Sequence, residues 1–505
     1  METNRRGSSG RALRLLRTVA VAALAIRGAA CASDLNGTWR MDVPKPSGAT
    51  LHSFIVLHQD GARIEGQVIA NGSVGVPIRG ARAEGQDTVF SINWGWNFRV
   101  RPEGANLRVV VSYDGGGRDE AVAVPVPESD TRPPAALPVP AIRALPDNLL
   151  ARAPPMGWNS WNHFAESVDD RVVRETADAM VATGMAAAGY AYVNIDDTWE
   201  GGRDANGSIV PNRKFPDMKA LADYVHARGL RLGIYSSPGP VTCGGYEGSY
   251  GHEDQDARTF AAWGIDYLKY DWCSAGRIYT EAYLRPVYQK MGEALQGCGR
   301  PIVYSLCEYG MGGVPGWGPD VGANLWRTTG DIQDNWDSMA ANGFSQAPLA
   351  RYAGPGRWND PDMLEVGNGG MSATEYRTHF SLWCMLAAPL MAGNDLRHMS
   401  AETIGILTNR EVIAVDQDPL GRQGVRVSER DGVEIWTKPV RGGQAVGVFN
   451  RSAAPREAAF AWALIGRSPA PAGLRDLWLH RDLAPASDGY HGSVPGHGAV
   501  MLLVR

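Results

Sequence analysis

The sequence predicts three folded domains in a row: a small N-terminal antiparallel β domain over residues 34–126, a central (β/α)8 barrel over 153–419, and a C-terminal antiparallel β-sandwich over 420–505. Three observations predict this order. Short alternating runs broken by tight-turn dipeptides fill the first stretch, strand-like apolar runs alternate with helix-period segments in the second, and short strands return from about Gly424. A chain of 505 residues has room for roughly 2–4 domains.

Ahead of these domains, residues 1–32 read as an export signal. Arg5, Arg6, Arg11, Arg14 and Arg17 make a basic start, residues 18–26 are a short apolar run, and Ala30-Cys31-Ala32 fits a small-residue cleavage site. The run is far short of the roughly 20 residues that cross a bilayer, and no other segment reads as a membrane span. The expected location is therefore the periplasm or the outside. Lipid attachment at Cys31 is the alternative, but Gly28 stands where a large aliphatic residue is wanted. Removing the signal leaves Cys243, Cys273, Cys298, Cys307 and Cys384, an odd number with at least one free thiol.

In the first domain, Phe54-Ile55-Val56-Leu57, residues 63–68, Thr88-Val89-Phe90-Ser91-Ile92 and residues 107–111 read as strands. Asp60-Gly61, Asn71-Gly72 and Asp114-Gly115 supply turns. The cluster Trp94, Trp96 and Phe98 is read as core or interdomain packing ahead of carbohydrate binding. Residues 127–152 form a proline-rich linker, extended and not helical. In the barrel, residues 191–195, 230–235, 267–270 and 302–306 read as buried strands. Val172, Val173, Thr176, Ala177, Met180 and Val181 recur at helical spacing after the candidate caps Asp169 and Asp170. About eight such strands fit the size of a TIM barrel. A doubly wound sheet is the competitor, but the Gly-rich phosphate turn it often carries is absent after the first strand. In the last domain, residues 425–427, 433–436, 445–449 and 499–503 are strands and Asp431-Gly432 is a hairpin turn.

Charge excludes some partners. With 49 basic and 54 acidic residues, net −5, nothing points to nucleic acid or an anionic membrane. Sixteen tryptophans are many, since each indole N–H needs a partner; more than half are expected in cores, and the others can lie under pyranose rings.

The active site of such a barrel lies at the C-terminal ends of its strands. These ends read Trp161, Asp196-Asp197, Tyr235, Asp271, Glu308, Asp331, Asp360 with Asp362, and Asp395. Six of the eight carry a carboxylate, which is costly there unless it serves a site or is paired. A ring of structural ion pairs is the plain alternative, yet only Lys269, Arg327 and Arg357 lie nearby in sequence. Excess acid in one pocket suits glycoside cleavage, which needs two carboxylates, and further carboxylates can grip sugar hydroxyls. No loop has the dense acidic pattern of a calcium site, no Cys or His spacing suggests zinc, and the chemistry needs no cofactor.

Seven motifs then resemble the α-galactosidases of glycoside hydrolase family 27. They are Met156-Gly157-Trp158-Asn159-Ser160-Trp161, Ile195-Asp196-Asp197, Tyr267-Leu268-Lys269-Tyr270-Asp271, residues 326–332, Trp358-Asn359-Asp360-Pro361-Asp362-Met363, Ala388-Pro389-Leu390 with residues 394–397, and residues 416–421. The resemblance runs over about residues 154–505 and leaves out the N-terminal domain. It implies an exo-acting retaining hydrolase that removes terminal α-linked D-galactose, with Asp271 as nucleophile and Asp331 as general acid/base. Retention requires their carboxyls about 5–5.5 Å apart. It also implies that Asp196 and Asp197 hold the 4- and 6-hydroxyls, that Trp161 is an aromatic wall, and that Tyr235 and Lys269 touch the sugar. Arg327 and Asp362 fall on the 2-hydroxyl side, the loop Cys307-Glu308-Tyr309 faces the 2-substituent, and Cys243 and Cys273 match a disulfide pair. Lys269 shares a strand face with Asp271, so its charge is expected to keep the nucleophile ionised. Asp331 must start protonated, and burial with neighbouring carboxylates is expected to raise its pKa.

The sequence departs from the family in three places. Many relatives have Cys after the paired aspartates, where this chain has Thr198, and the partner near Ala165 is also missing; losing both halves points to a dispensable disulfide. Tyr309 stands where plant and fungal relatives usually have Trp. The N-terminal domain is expected to narrow or extend the leaving-group side. Alternative specificities on this scaffold are β-L-arabinopyranosidase, α-N-acetylgalactosaminidase and isomaltodextranase, but β-L-arabinopyranose lacks C6, so Asp196-Asp197 favours galactose. The expected partner is a carbohydrate substrate, and no oligomeric state is implied.

Overall fold

The computed structural model describes residues 35–114 and 116–505, so the expected export signal, Cys31 and Gly115 lie outside the described residues. The N-terminal domain is a nine-stranded antiparallel sheet running from Gly37–Pro44 to Arg118–Pro125. Its two outermost strands, Val76–Pro77 and Arg79–Glu84, are consecutive in the chain, and Ile78 N–H donates to the Gly66 carbonyl at 3.0 Å. The sheet therefore curls on itself around Ile55, Leu57, Val68, Phe98, Val100 and Val109. Phe98 is core as expected, while Trp94 is exposed.

The linker is extended apart from one 3-10 turn at Glu128–Thr131. It lies strapped along the catalytic barrel. Arg143 N–H donates to Gln289 Oε1 (3.0 Å), Gln289 Nε2 donates to the Ala141 carbonyl (2.8 Å), and Leu145 is buried. Backbone groups denied helix partners by proline are thus satisfied by the neighbouring helix Leu284–Gly297.

Eight parallel strands form the centre: β1 (Met156–Asn159), β2 (Tyr192–Asn194), β3 (Arg231–Ser236), β4 (Tyr267–Asp271), β5 (Val303–Cys307), β6 (Leu325–Arg327), β7 (Trp358–Asp360) and β8 (Leu390–Ala392). β8 pairs with β1, and Leu364, just past β7, bonds both Met391 O (2.8 Å) and Gly393 N (2.9 Å), which closes the ring. The interior is layered. Tyr192, Tyr267, Val303, Leu325, Trp358 and Met391 form an apolar floor. One step up each strand stand polar groups: Asn194, Lys269, Ser305, Arg327 and Asp360. Gly233 belongs to this tier because a Cβ there would lie 1.9 Å from Asn194 Oδ1.

Outside the ring, the helix Asp170–Ala182 starts where Asp169 accepts from Val172 N–H, and it buries Val172, Val173, Thr176, Ala177 and Met180. Val181, expected on that face, is exposed: it falls at the edge of the apolar arc in the last turn. The C-terminal domain pairs a six-stranded with a two-stranded antiparallel sheet. Ile435, Val448, Phe460, Val494 and Leu502 fill the space between the sheets. Trp436, Phe449 and Met501 on the opposite face join the barrel core, so strand Val433–Val440 is buried on both sides. Asp431 and Gly432 both take positive φ in the hairpin turn between Val425–Arg430 and that strand.

Candidate active site

A cavity of about 580 Å³ opens at the C-terminal ends of the strands. Among its walls are Trp161, Asp196, Asp197, Tyr235, Lys269, Asp271, Tyr309, Arg327, Asp331 and Asp362. Residues scattered over some two hundred positions meet because each lies at or just past the C-terminal end of one of the neighbouring strands.

Asp271 ends β4 and is buried. Tyr309 Oη donates to its Oδ1 at 2.8 Å and Tyr235 Oη to its Oδ2 at 3.1 Å. Burial raises its pKa, and the Lys269 charge opposes that rise, as the shared strand face suggested. Lys269 does not bond Asp271 itself: its Nζ lies 2.8 Å from Asp196 Oδ2. Burial works against the ammonium, but Asp196 holds its pKa well above the ordinary value. Asn159 Nδ2 reaches the same Asp196 oxygen at 2.7 Å.

Asp197 lies beside it, fully buried, with Thr198 N–H at 2.6 Å from Oδ1 and Gly244 N–H at 2.6 Å from Oδ2. Burial pushes its pKa up to about 7 despite these donors. A Cβ on residue 244 would stand 3.1 Å from this carboxylate, so glycine lets the backbone come close. Across the cavity Arg327 is buried between Asp362 (3.0 Å) and Asp331 (3.1 Å). Asp362 also accepts from Ile332 N–H at 2.8 Å, and burial raises its pKa while Arg327 pulls it down.

The expectation that Asp331 is buried is not met. It stands four residues beyond β6 on the rim, with its side chain 69% exposed. Cys307 and Glu308 do not line the cavity either. Cys307 faces the interior beneath it, with Sγ 3.7 Å from Arg327 Nη1. Glu308 is fully buried on the opposite parity, and burial holds its carboxyl well above the usual range. Asp360 occupies the tier below, where burial raises it to about 6. Asp395 does not line this cavity: it caps the turn Leu396–His398 and pairs with Arg397 at 2.8 Å. It is the structural ion pair that the plain alternative foresaw, with a partner only two residues away.

Sequence reasoning missed several wall residues. Asn162, His163, Gln333, Asp334, Glu365 and Asn368 also line the cavity. Glu365 is buried with Asn162 and Asn368 on its carboxylate, and burial raises it to about 7. Its signal was an acid set within the apolar run Met363-Leu364 and Val366. Backbone strain gathers here too: Ala165, Thr198, Cys273, Tyr309 and Asp362 all hold positive φ without being glycine.

Cys243 and Cys273 form a disulfide on one wall, and Cys298, Cys307 and Cys384 are free. Where the second disulfide was expected to be dispensable, Lys214 spans the gap. Its Nζ donates to the Glu166 carbonyl (2.8 Å) and to Thr198 Oγ1 (3.0 Å), tying the segment that carries Trp161 and Asn162 to the one carrying Asp197. Lys214→Met keeps the apolar stem and removes both bonds. It is expected to cost about 1–2 kcal/mol in urea unfolding and to raise KM more than it lowers kcat.

Comparison with known proteins identifies the family of the two larger domains. A family model for alpha galactosidase A matches residues 153–418, and one for the alpha galactosidase C-terminal beta sandwich domain matches residues 430–504. An α-galactosidase of Cyamopsis tetragonoloba is 49% identical over 368 residues, covering 72% of this chain and 88% of its own. The crystal structure of α-galactosidase I from Mortierella vinacea has a TM-score of 0.69 at 36% identity, covering 71% of this chain and 98% of its own. A Saccharomyces cerevisiae α-galactosidase structure with raffinose gives 0.67 at 28% identity, covering 72% and 100%. With its barrel and its C-terminal sandwich both matched, the chain belongs to the α-galactosidases of glycoside hydrolase family 27.

Proposed function

We propose that this protein is an exported, exo-acting α-galactosidase that works with retention of configuration. Asp271 attacks the anomeric carbon while Asp331 gives its proton to the departing glycosidic oxygen, leaving a galactosyl-Asp271 ester and a free leaving-group alcohol. Asp331, now a carboxylate, takes a proton from water as that water attacks the same carbon, releasing galactose and restoring both groups. The observation that carries this reading is the contrast between the two aspartates. Asp271 is buried in the cavity wall with a tyrosine hydroxyl on each oxygen, whereas Asp331 stands exposed on the rim, open to a departing alcohol.

Galactose is favoured by Asp196 and Asp197, whose oxygens, organised by Lys269, Asn159 and backbone amides, suit an axial 4-hydroxyl and a 6-hydroxyl. Arg327 and Asp362 take the 2-hydroxyl side. The basic, apolar start of residues 1–32 and the Cys243–Cys273 bond support export. Among the described residues no helix is long and apolar enough to cross a membrane.

The test is an assay with p-nitrophenyl α-D-galactopyranoside beside the β-L-arabinopyranoside, α-N-acetylgalactosaminide and α-glucoside, with Asp271→Asn as control. Preference for the galactoside, lost in the variant, is expected. Preference for another glycoside would overturn the assignment of galactose and move attention to Tyr309.

A further inference from the structure

The N-terminal barrel touches the catalytic domain with one of its ends, and that end stands beside the cavity mouth. Lys45 pairs with Glu166 at 3.3 Å, one residue beyond the wall residue Ala165. Asn71 Nδ2 donates to the carbonyl of Cys243, itself a wall residue, at 3.4 Å. Ser47 and Tyr246 share a hydroxyl contact at 3.2 Å, and Arg213 Nε donates to the Pro46 carbonyl at 2.5 Å. The hairpin loop at 45–49 and the loop at 71–75 are thus seated on the rim.

The same barrel end carries an aromatic ledge. Lys45 also reaches Asp119 at 3.6 Å, Asp119 accepts from Tyr113 Oη at 2.6 Å, and the Tyr113 ring meets Trp96 edge-on at 5.4 Å. Trp94 meets Trp96 edge-on at 5.6 Å. Of the sixteen tryptophans Trp94 alone is exposed, at 45%. Nearly half of its surface faces solvent, which core packing does not account for. An exposed indole backed by a second ring is rigid and apolar on its face, with little side-chain entropy left to lose. Such a face suits the C–H surface of a pyranose.

We propose that Trp94, supported by Trp96, is a platform for sugar units on the leaving-group side of the scissile bond. This rests on the hydrolase reading above and extends it: the substrate is a galactose-bearing glycan whose remaining chain leaves the pocket past Ala165 and Glu166 and lies over the N-terminal barrel. Monogalactosides with a small leaving group end before reaching it. The N-terminal domain is then part of the substrate-binding surface, with a role in choosing long substrates over short ones.

The experiment compares kcat/KM on galactomannan with kcat/KM on p-nitrophenyl α-D-galactopyranoside, for the full chain and for Trp94→Ala and Trp94→Phe. Trp94→Ala loses the edge-on contact with Trp96, so thermal melting of both variants beside the parent separates a folding change from a change in substrate binding. Trp94→Ala is expected to lower the long-to-short ratio about five- to tenfold through KM on galactomannan, and Trp94→Phe to recover most of it. A ratio within about twofold of the parent in Trp94→Ala overturns the platform. If the parent releases galactose from neither substrate there is no ratio to measure, and the hydrolase reading falls first, taking the platform with it.

Discussion

Asp271→Asn is expected to lower kcat by about 10⁴-fold or more while substrate still binds. The amide is nearly isosteric, and its oxygen can still accept from Tyr309 or Tyr235, so the cavity keeps its shape. What disappears is the negatively charged carboxylate that attacks the anomeric carbon and forms the ester. The same substitution is expected to raise thermal stability at neutral pH. Burial raises the pKa of Asp271 in the folded state, with Lys269 only partly opposing it, so the carboxylate is carried at a cost to stability. For an acid with a raised folded pKa that cost is absent below the ordinary carboxylate range and grows as pH rises through it. The gain in melting temperature over the parent should therefore shrink as pH falls towards the unfolded pKa, which thermal scans across pH will show. Asp271→Ala with azide separates the chemical role from a structural one. A small anion in the vacated space attacks from the opposite face and gives β-galactosyl azide.

Asp331→Ala is expected to divide substrates by their leaving groups. On an oligosaccharide, whose departing alcohol needs a proton, kcat/KM should fall by about 10²–10⁴-fold. On p-nitrophenyl galactoside, whose phenolate leaves unaided, the fall should be far smaller. The second half-reaction also loses its base, so turnover stalls at the ester. Azide needs no deprotonation and should restore turnover, now giving α-galactosyl azide. The exposed position of Asp331 makes this clean, since truncation leaves no buried cavity; its partner Arg327 keeps Asp362.

The architecture was legible because the two periodicities separate well in this chain: alternation in the end domains, and short apolar runs ending in acids in the middle. The site was legible wherever a residue's parity followed from its strand. Lys269 and Asp271, two apart, both face inward, and so do Arg327 and Asp360. Glu308 shows the limit of counting strand ends. Ser305 and Cys307 face the interior, so Glu308 must point outward among Tyr288 and Tyr304, whose hydroxyls burial first and the Glu308 charge second push well above their ordinary range. Asp395 failed because local pairing with Arg397 depends on a turn and not on a strand. Asp331 was found by its motif, but its exposure follows from the length of the loop after β6, which no pattern in the residues encodes. Glu365 and Asn162 come together across 203 positions, a distance over which spacing carries no signal.

The central claim is that Asp271 becomes covalently bound to the sugar, and trapping tests it most directly. Incubation with 5-fluoro-α-D-galactosyl fluoride, followed by proteolysis and mass spectrometry, should find one 5-fluorogalactosyl adduct, on the peptide containing Asp271 and on that side chain, with none in Asp271→Asn. An adduct on a different carboxylate, or an untrapped enzyme that releases β-galactose first from an α-galactoside, would contradict the account.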